Sequence, residues 1–140
     1  MDIVEDYVCD QDYRLHVPDG IYEAECFDCH PGFYAGVPKL FLRFRLLNVS
    51  DKNDPNKNVE LFMAFNMPYD GRIPVGSKYY KTWTKVNGRL PSRNARMAAR
   101  LFMNKLYKVK TRTVKPTDGG EELPQHFHYS IVDSILEVMF

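Results

Sequence analysis

Nine consecutive residues, Lys39-Leu40-Phe41-Leu42-Arg43-Phe44-Arg45-Leu46-Leu47, alternate with a period of two. Leu40, Leu42, Phe44 and Leu46 fall on one side, and Phe41, Arg43 and Arg45 on the other. A helix would smear this pattern around its circumference, whereas a strand sorts it into two faces. The segment is therefore read as a β-strand with one face buried. Its other face combines cations with an aromatic ring, so whatever covers or touches that face must accept both.

The same period organises most of the chain. Ile21–Asp28 reads as a strand with Tyr22, Ala24 and Cys26 inward, after a turn at Pro18-Asp19-Gly20. Residues 29–38, rich in Gly and Pro and carrying Phe33 and Tyr34, read as a loop. Residues 59–67 form a third strand with Leu61, Met63 and Phe65 inward and Phe62 and Asn66 outward. The period then changes. Ser77 is placed to cap a helix through Val86, with Tyr79, Trp83 and Val86 on one stripe and Asn87-Gly88 as its end. Pro91-Ser92 is expected to open a second helix reaching Met103. Residues 106–114 return to period two, 116–125 form a long turn, and 128–140 a last strand. Residues 1–18 are expected to be an acidic lead-in, with a short strand at 13–17, ahead of a single domain over 19–140.

Charge is distributed in blocks. The formal net charge is +1, yet residues 1–30 hold nine acids and one base, and residues 77–115 hold twelve bases and no acid. Residues 116–140 carry five acids and no Lys or Arg. Dense positive charge repels itself unless something neutralises it, which points to an anionic partner or to the chain's own acidic ends.

Strand, strand, strand, helix, strand, strand is the element order of the oligonucleotide/oligosaccharide-binding (OB) fold. The expected class is mainly β with a helical insertion: a five-stranded OB-fold barrel with the helix between strands 3 and 4. The runs Gly20-Ile21-Tyr22 to Pro38-Lys39-Leu40, Gly88-Arg89-Leu90-Pro91, Phe102-Met103-Asn104-Lys105-Leu106-Tyr107-Lys108-Val109 and Tyr129-Ser130-Ile131-Val132 resemble small proteins of bacterial mobile elements. More broadly the chain is similar to OB-fold single-stranded DNA-binding proteins encoded by phages and plasmids. That resemblance implies the barrel and a role in replication or recombination of a mobile element, and it assigns no individual binding residue.

Binding a single strand requires cations that follow the phosphates and flat rings on which bases stack. The expected groove uses Lys39, Phe41, Arg43 and Arg45 from the second strand and Lys108, Lys110 and Arg112 from the fourth, with Phe62 and Tyr34 as added stacking partners. Tyr69 is a further loop aromatic. The competing reading is that these are ordinary solvated faces. Arg89, Arg93, Arg96 and Arg100, spaced 4, 3 and 4, form a second-tier basic stripe, the last three on one face of the expected second helix and Arg89 just before it. Pairing of that stripe with the acidic N-terminus is its competing explanation, and the same acidic segment is expected to compete with DNA for the groove.

Cys26-x-x-Cys29-His30 matches the letters of a haem attachment motif, but that chemistry needs export and no export signal is visible. Cys26, Cys29, His126 and His128 offer the donor types of a zinc site, against the plainer reading of small, half-buried residues. No cofactor is expected. Nucleophile-elbow, P-loop, zincin and dinucleotide motifs are absent, so catalysis is not expected. Three cysteines and no apolar run of about 18 residues fit a cytoplasmic protein that does not span a membrane. The expected partner is single-stranded DNA, with RNA as an alternative and with homo-oligomers or replication and recombination proteins as further partners. A protein-interaction module, adaptor or inhibitor, docking through its basic surface is the rival class.

Overall fold

The alternation of 39–47 is realised at the centre of a longer strand. In the computed structural model, which describes residues 16–52 and 54–140 except for the side chain of His126, this strand is β2 (Val37–Ser50). Leu40, Leu42, Phe44 and Leu46 are buried, as the pattern requires. Burying one such side chain stabilises a fold by about 1.5–3 kcal/mol, so one strand face supplies a large part of the core. β2 lies between β1 (Ile21–Tyr34) and β3 (Asn58–Asn66), antiparallel to both. Beyond β3 come helix α1 (Lys78–Asn87), strand β4 (Leu106–Val114), two short strands β5 (Thr117–Asp118) and β6 (Glu121–Glu122), and β7 (Tyr129–Val138).

The five long strands form one antiparallel sheet in the order β3-β2-β1-β4-β7. The fold is thus mainly β, with one α-helix among the described residues, inserted after the third strand. Among the described residues no hydrogen-bonded ladder joins β3 to β7, so the sheet is not closed in the way a continuous barrel is. Instead the rings of Phe62 on β3 and Tyr129 on β7 stack with centroids 6.4 Å apart.

Helix α1 forms where the caps and stripe place it. The Ser77 hydroxyl accepts the Tyr80 N–H at 3.1 Å, and Gly88 ends the helix in the left-handed conformation. Tyr79 and Trp83 are buried, and Val86 packs partly on the same core. Tyr79 meets Phe65 and Phe102 edge-on, at 5.3 and 6.0 Å between ring centroids.

Four expectations need correction or fall outside the described residues. First, β1 does not stop at Asp28; it runs through Pro31 and Gly32 to Tyr34. A bulge at Phe27 absorbs one residue, and Ala35 and Gly36, both with positive φ, close a two-residue hairpin to β2. Proline is tolerated there because beyond Glu25 the strand has a ladder on one side only. Second, residues 92–103 are not a helix; only Ala99–Phe102 forms a 3-10 turn. Asn94 adopts a positive φ, and the carbonyls of Met97 and Ala98 accept from the Tyr79 hydroxyl (2.6 Å) and the Trp83 indole N–H (3.1 Å). Side chains of α1 thus hold these two carbonyls on an irregular path, the Ala98 carbonyl also accepting the Leu101 N–H of the 3-10 turn at 3.2 Å, and three uncompensated arginines give a helix there no support. Third, the turn expected over 116–125 contains the β5–β6 ribbon. Fourth, residues 1–15 of the lead-in, with most of the strand expected at 13–17, lie outside the described residues. Val17, at its end, is buried, and its N–H and carbonyl both bond the Ser130 hydroxyl, at 2.9 and 3.0 Å. Among the described residues no helix is long and apolar enough to cross a membrane.

Three core groups resist ionisation. Burial pushes the Cys26 thiol from 9.0 up to about 12 and the Tyr79 hydroxyl from 10.0 up to about 12, and raises Tyr107 further still. A raised pKa stabilises the fold in full below the unfolded value and loses that contribution as pH climbs towards the folded one. Stability measured by urea unfolding is therefore expected to be level through neutral pH and to fall steadily above about pH 9. A Cys26→Ser, Tyr79→Phe variant should show a shallower alkaline fall.

Candidate functional site

The outward residues of β2 determine what its exposed side can do. Along β1, β2 and β3 the register pairs His30 with Phe41, Phe41 with Ala64 and Arg43 with Phe62. The rings follow that register. His30 stacks on Phe41 at 5.4 Å, Phe41 meets Phe62 edge-on at 6.0 Å, and Phe62 stacks on Tyr129 at 6.4 Å. The result is an aromatic row crossing four strands on the solvent side of the sheet. Phe62 is 36% exposed, whereas Phe44 on the opposite face of the same sheet is fully buried. Gly32 makes room for the row: a Cβ there would lie 3.0 Å from the Phe41 ring.

Cations flank the row. Lys39 places its ammonium 5.9 Å from the Tyr34 ring, which is 71% exposed beside the hairpin tip. Arg43 and Arg45 lie over the Phe27 ring, at 5.3 and 4.4 Å. Both also reach Glu60 on β3, at 3.0 and 3.5 Å. On the core side of the sheet, helix α1 carries Lys78, whose ammonium rests 5.5 Å from the ring of the buried Phe65. Partial desolvation lowers its pKa; Asp133 opposes that shift, and the nearby positive charges of Arg112 and Lys39 add to it. Lys78 therefore feels the charges of Lys39, Arg112 and Asp133.

The β4 cations are as exposed as the alternation implies, but they do not form a wall directly facing Phe41. β1 lies between β4 and β2, and its outward residues Glu23 and Glu25 stand opposite Lys108 and Arg45. Lys110 is level with Ile21 and Phe41 with His30, nine residues apart on β1, a separation along the strand of roughly 30 Å. Lys108 also meets Glu137 at 3.8 Å. Arg112 joins the platform from the other flank, through β7: it bonds Asp133 at 3.0 Å and pairs with Ile131, two residues from Tyr129.

Arg89, Arg93, Arg96 and Arg100 are all exposed, but on an irregular segment and not on one helical face. Tyr69 donates its hydroxyl to the Gly36 carbonyl at 2.6 Å, bracing the hairpin tip. Cys26 faces the core with its thiol held protonated, and its Sγ contacts the Asp28 carbonyl at 3.7 Å. Burial raises the Cys29 thiol as well. His128 lies 3.1 Å from the Leu123 carbonyl and 3.2 Å from Glu122. Among the described residues no three His, Cys, Asp or Glu side chains converge as a metal site, and the side chain of His126 is outside that set.

Sequence reasoning missed Phe27, His30 and Tyr129 as members of this surface. The bulge and the length of β1 conceal the first two, and Tyr129 joins only because β7 approaches β3. No family model, no curated protein and no solved structure matches the chain.

A surface row and a core ring differ in what their removal costs. Phe62→Ala is expected to destabilise by about 1–2 kcal/mol, the worth of its two ring contacts. Phe44→Ala should cost about 3–5 kcal/mol. Equal losses in urea unfolding would mean that Phe62 is a core residue and not part of a surface.

Proposed function

We propose that the protein binds single-stranded DNA non-catalytically and with little sequence preference, through the outer face of an OB-type barrel. The order β3-β2-β1-β4-β7 with a helix after the third strand supports that architecture, the stacked rings at the β3–β7 seam standing where ladder closure would be. The observation that carries the functional reading is the row His30–Phe41–Phe62–Tyr129 with Lys39, Arg43 and Arg45 beside it. Bases of any identity have a π-face, so rings at this spacing stack them without reading them, while ammonium and guanidinium groups follow the phosphates. Tyr34 and Lys39 extend the path towards the hairpin tip, and Arg112 borders its β7 side. A role in replication or recombination of a mobile element, in the cytoplasm, accompanies this reading.

A protein-docking role is the second reading, favoured by one specific feature. Arg43, Arg45, Lys108 and Arg112 each have a carboxylate within 4 Å, which weakens the field a polyanion would feel.

Fluorescence polarisation with labelled dT, rU and duplex oligomers at two salt concentrations separates the possibilities. The dT oligomer should bind at low salt and weaken steeply as salt rises. Phe41→Ala should lose on the order of tenfold or more in affinity with little change in salt slope, since stacking contributes about 1–3 kcal/mol per base. Glu60→Gln should tighten binding and steepen the slope, because it releases two guanidiniums for phosphate. No measurable oligonucleotide binding at low salt ends this reading; preferential rU binding would reassign the strand to RNA.

A further inference from the structure

Beyond the hairpin tip lies a cavity of about 800 Å³ between the 67–73 loop and the 91–98 segment. Its floor is apolar, with Met67, Ile73 and Met97, and Arg72 and Arg96 stand on its lining. Both guanidinium-bearing residues are exposed, and among the described residues neither is paired with a carboxylate. The nearest acid in sequence, Asp70, accepts the backbone N–H of Arg72 at 3.0 Å and so is engaged in its own turn.

Both walls are braced. On one side the Met67 N–H donates to the Pro38 carbonyl at 2.9 Å, and Tyr69 holds the Gly36 carbonyl. On the other, Tyr79 and Trp83 of α1 hold the carbonyls of Met97 and Ala98. These bonds also fix the cavity's place. Pro38 precedes Lys39, and Gly36 closes the turn after Tyr34, so the first wall abuts the exit of the aromatic row. A pre-formed apolar pocket with a few convergent polar groups is the usual form of a small-ligand site. Here two of its polar residues, Arg72 and Arg96, are cationic beside the neutral Ser92 and Asn94, and a nucleotide is a flat apolar base attached to an anion.

We propose that this cavity is a separate subsite for the strand: it takes one nucleotide beyond those stacked on the aromatic row, base against Met67, Ile73 and Met97, phosphate against Arg72 and Arg96. The inference rests on the single-strand reading above and gives the bound strand a direction, from Tyr129 across Phe62 and Phe41, past Lys39 and Tyr34, into the cavity. It also gives a use to part of the arginine-rich segment that the missing second helix left without one.

The test compares Arg72→Gln/Arg96→Gln with the unaltered protein, using labelled dT oligomers of about 4 and about 16 nucleotides, the span of OB site sizes. Thermal unfolding checks that the variant folds. The longer oligomer should lose roughly tenfold in affinity. Its salt slope should fall by about 0.7, the value for one phosphate on a single strand. Binding of the shorter oligomer, placed on the row, should hardly change. Ala95→Trp, which fills the cavity without altering charge, should weaken the longer oligomer alone.

Unchanged binding of the longer oligomer in both variants, while Phe41→Ala still weakens it, overturns the subsite and leaves the aromatic platform standing. Equal losses at both lengths overturn it too, because the arginines would then act through the general field. If poly-glutamate is the probe whose binding the double variant loses and dT is unaffected, the cavity belongs to an acidic protein segment. Failure of the unaltered protein to bind either oligomer removes the single-strand reading itself.

Discussion

One strand serves two partners, and the rest of the molecule is arranged around that division. β1 pairs with β4 over Ile21–Glu25 and with β2 over Ala24–Tyr34, and the bulge at Phe27 lies just past the point where the first ladder ends. A strand that changes neighbours along its length has to coil, and a bulge strengthens its twist. Coiling lets a five-stranded sheet enclose Phe44, Tyr107, Phe65 and Phe102 on one side. It also swings β3 round to meet β7, so that Phe62 and Tyr129 touch without a hydrogen-bonded ladder. The outer row of rings is thus a consequence of how the inner face is filled.

The same division governs the electrostatics. β1 brings Glu23, Glu25 and Asp28 to the outer face, each opposite a base on β4 or β2. Glu60, Glu137 and Asp133 reach other cations on the same strands. Exposed ion pairs of this kind contribute about 0–1 kcal/mol to stability, so they do not hold the fold together. Their effect is to leave the sheet face patterned, with rings at the centre and cations at the edges, in place of a uniformly basic surface. The arginine-rich segment from Arg89 to Arg100 is different: among the described residues it meets no carboxylate.

Local pattern was enough to read β2, β3, β4 and α1, because each carries its own signal: alternation in 39–47, 59–67 and 106–114, and a serine cap with a glycine stop around 78–87. The outward placement of Phe41, Phe62, Lys108 and Arg112 came with them. What escaped depends on tertiary contacts. Pro31 and Gly32 look like loop residues until one knows that this part of β1 has a ladder on one side only. The 92–103 segment has helical spacing, yet Tyr79 and Trp83 from another element bond two of its carbonyls, Met97 and Ala98, and hold it on an irregular path. Glu60 sits in an apolar strand with nothing local to link it to Arg43 and Arg45, seventeen and fifteen residues earlier. His30 and Tyr129 joined the surface for the same reason: their neighbours come from distant strands.

The central claim is that the aromatic row is where a single strand lies. Photocrosslinking a 5-iodouracil-substituted dT oligomer to the full chain, with the linked residues located by mass spectrometry, tests it most directly. The account predicts links at Phe41, Phe62 and Tyr129, competed away by unlabelled dT. Links confined to Lys108 and Lys110 on β4, or none that unlabelled dT removes, would contradict it.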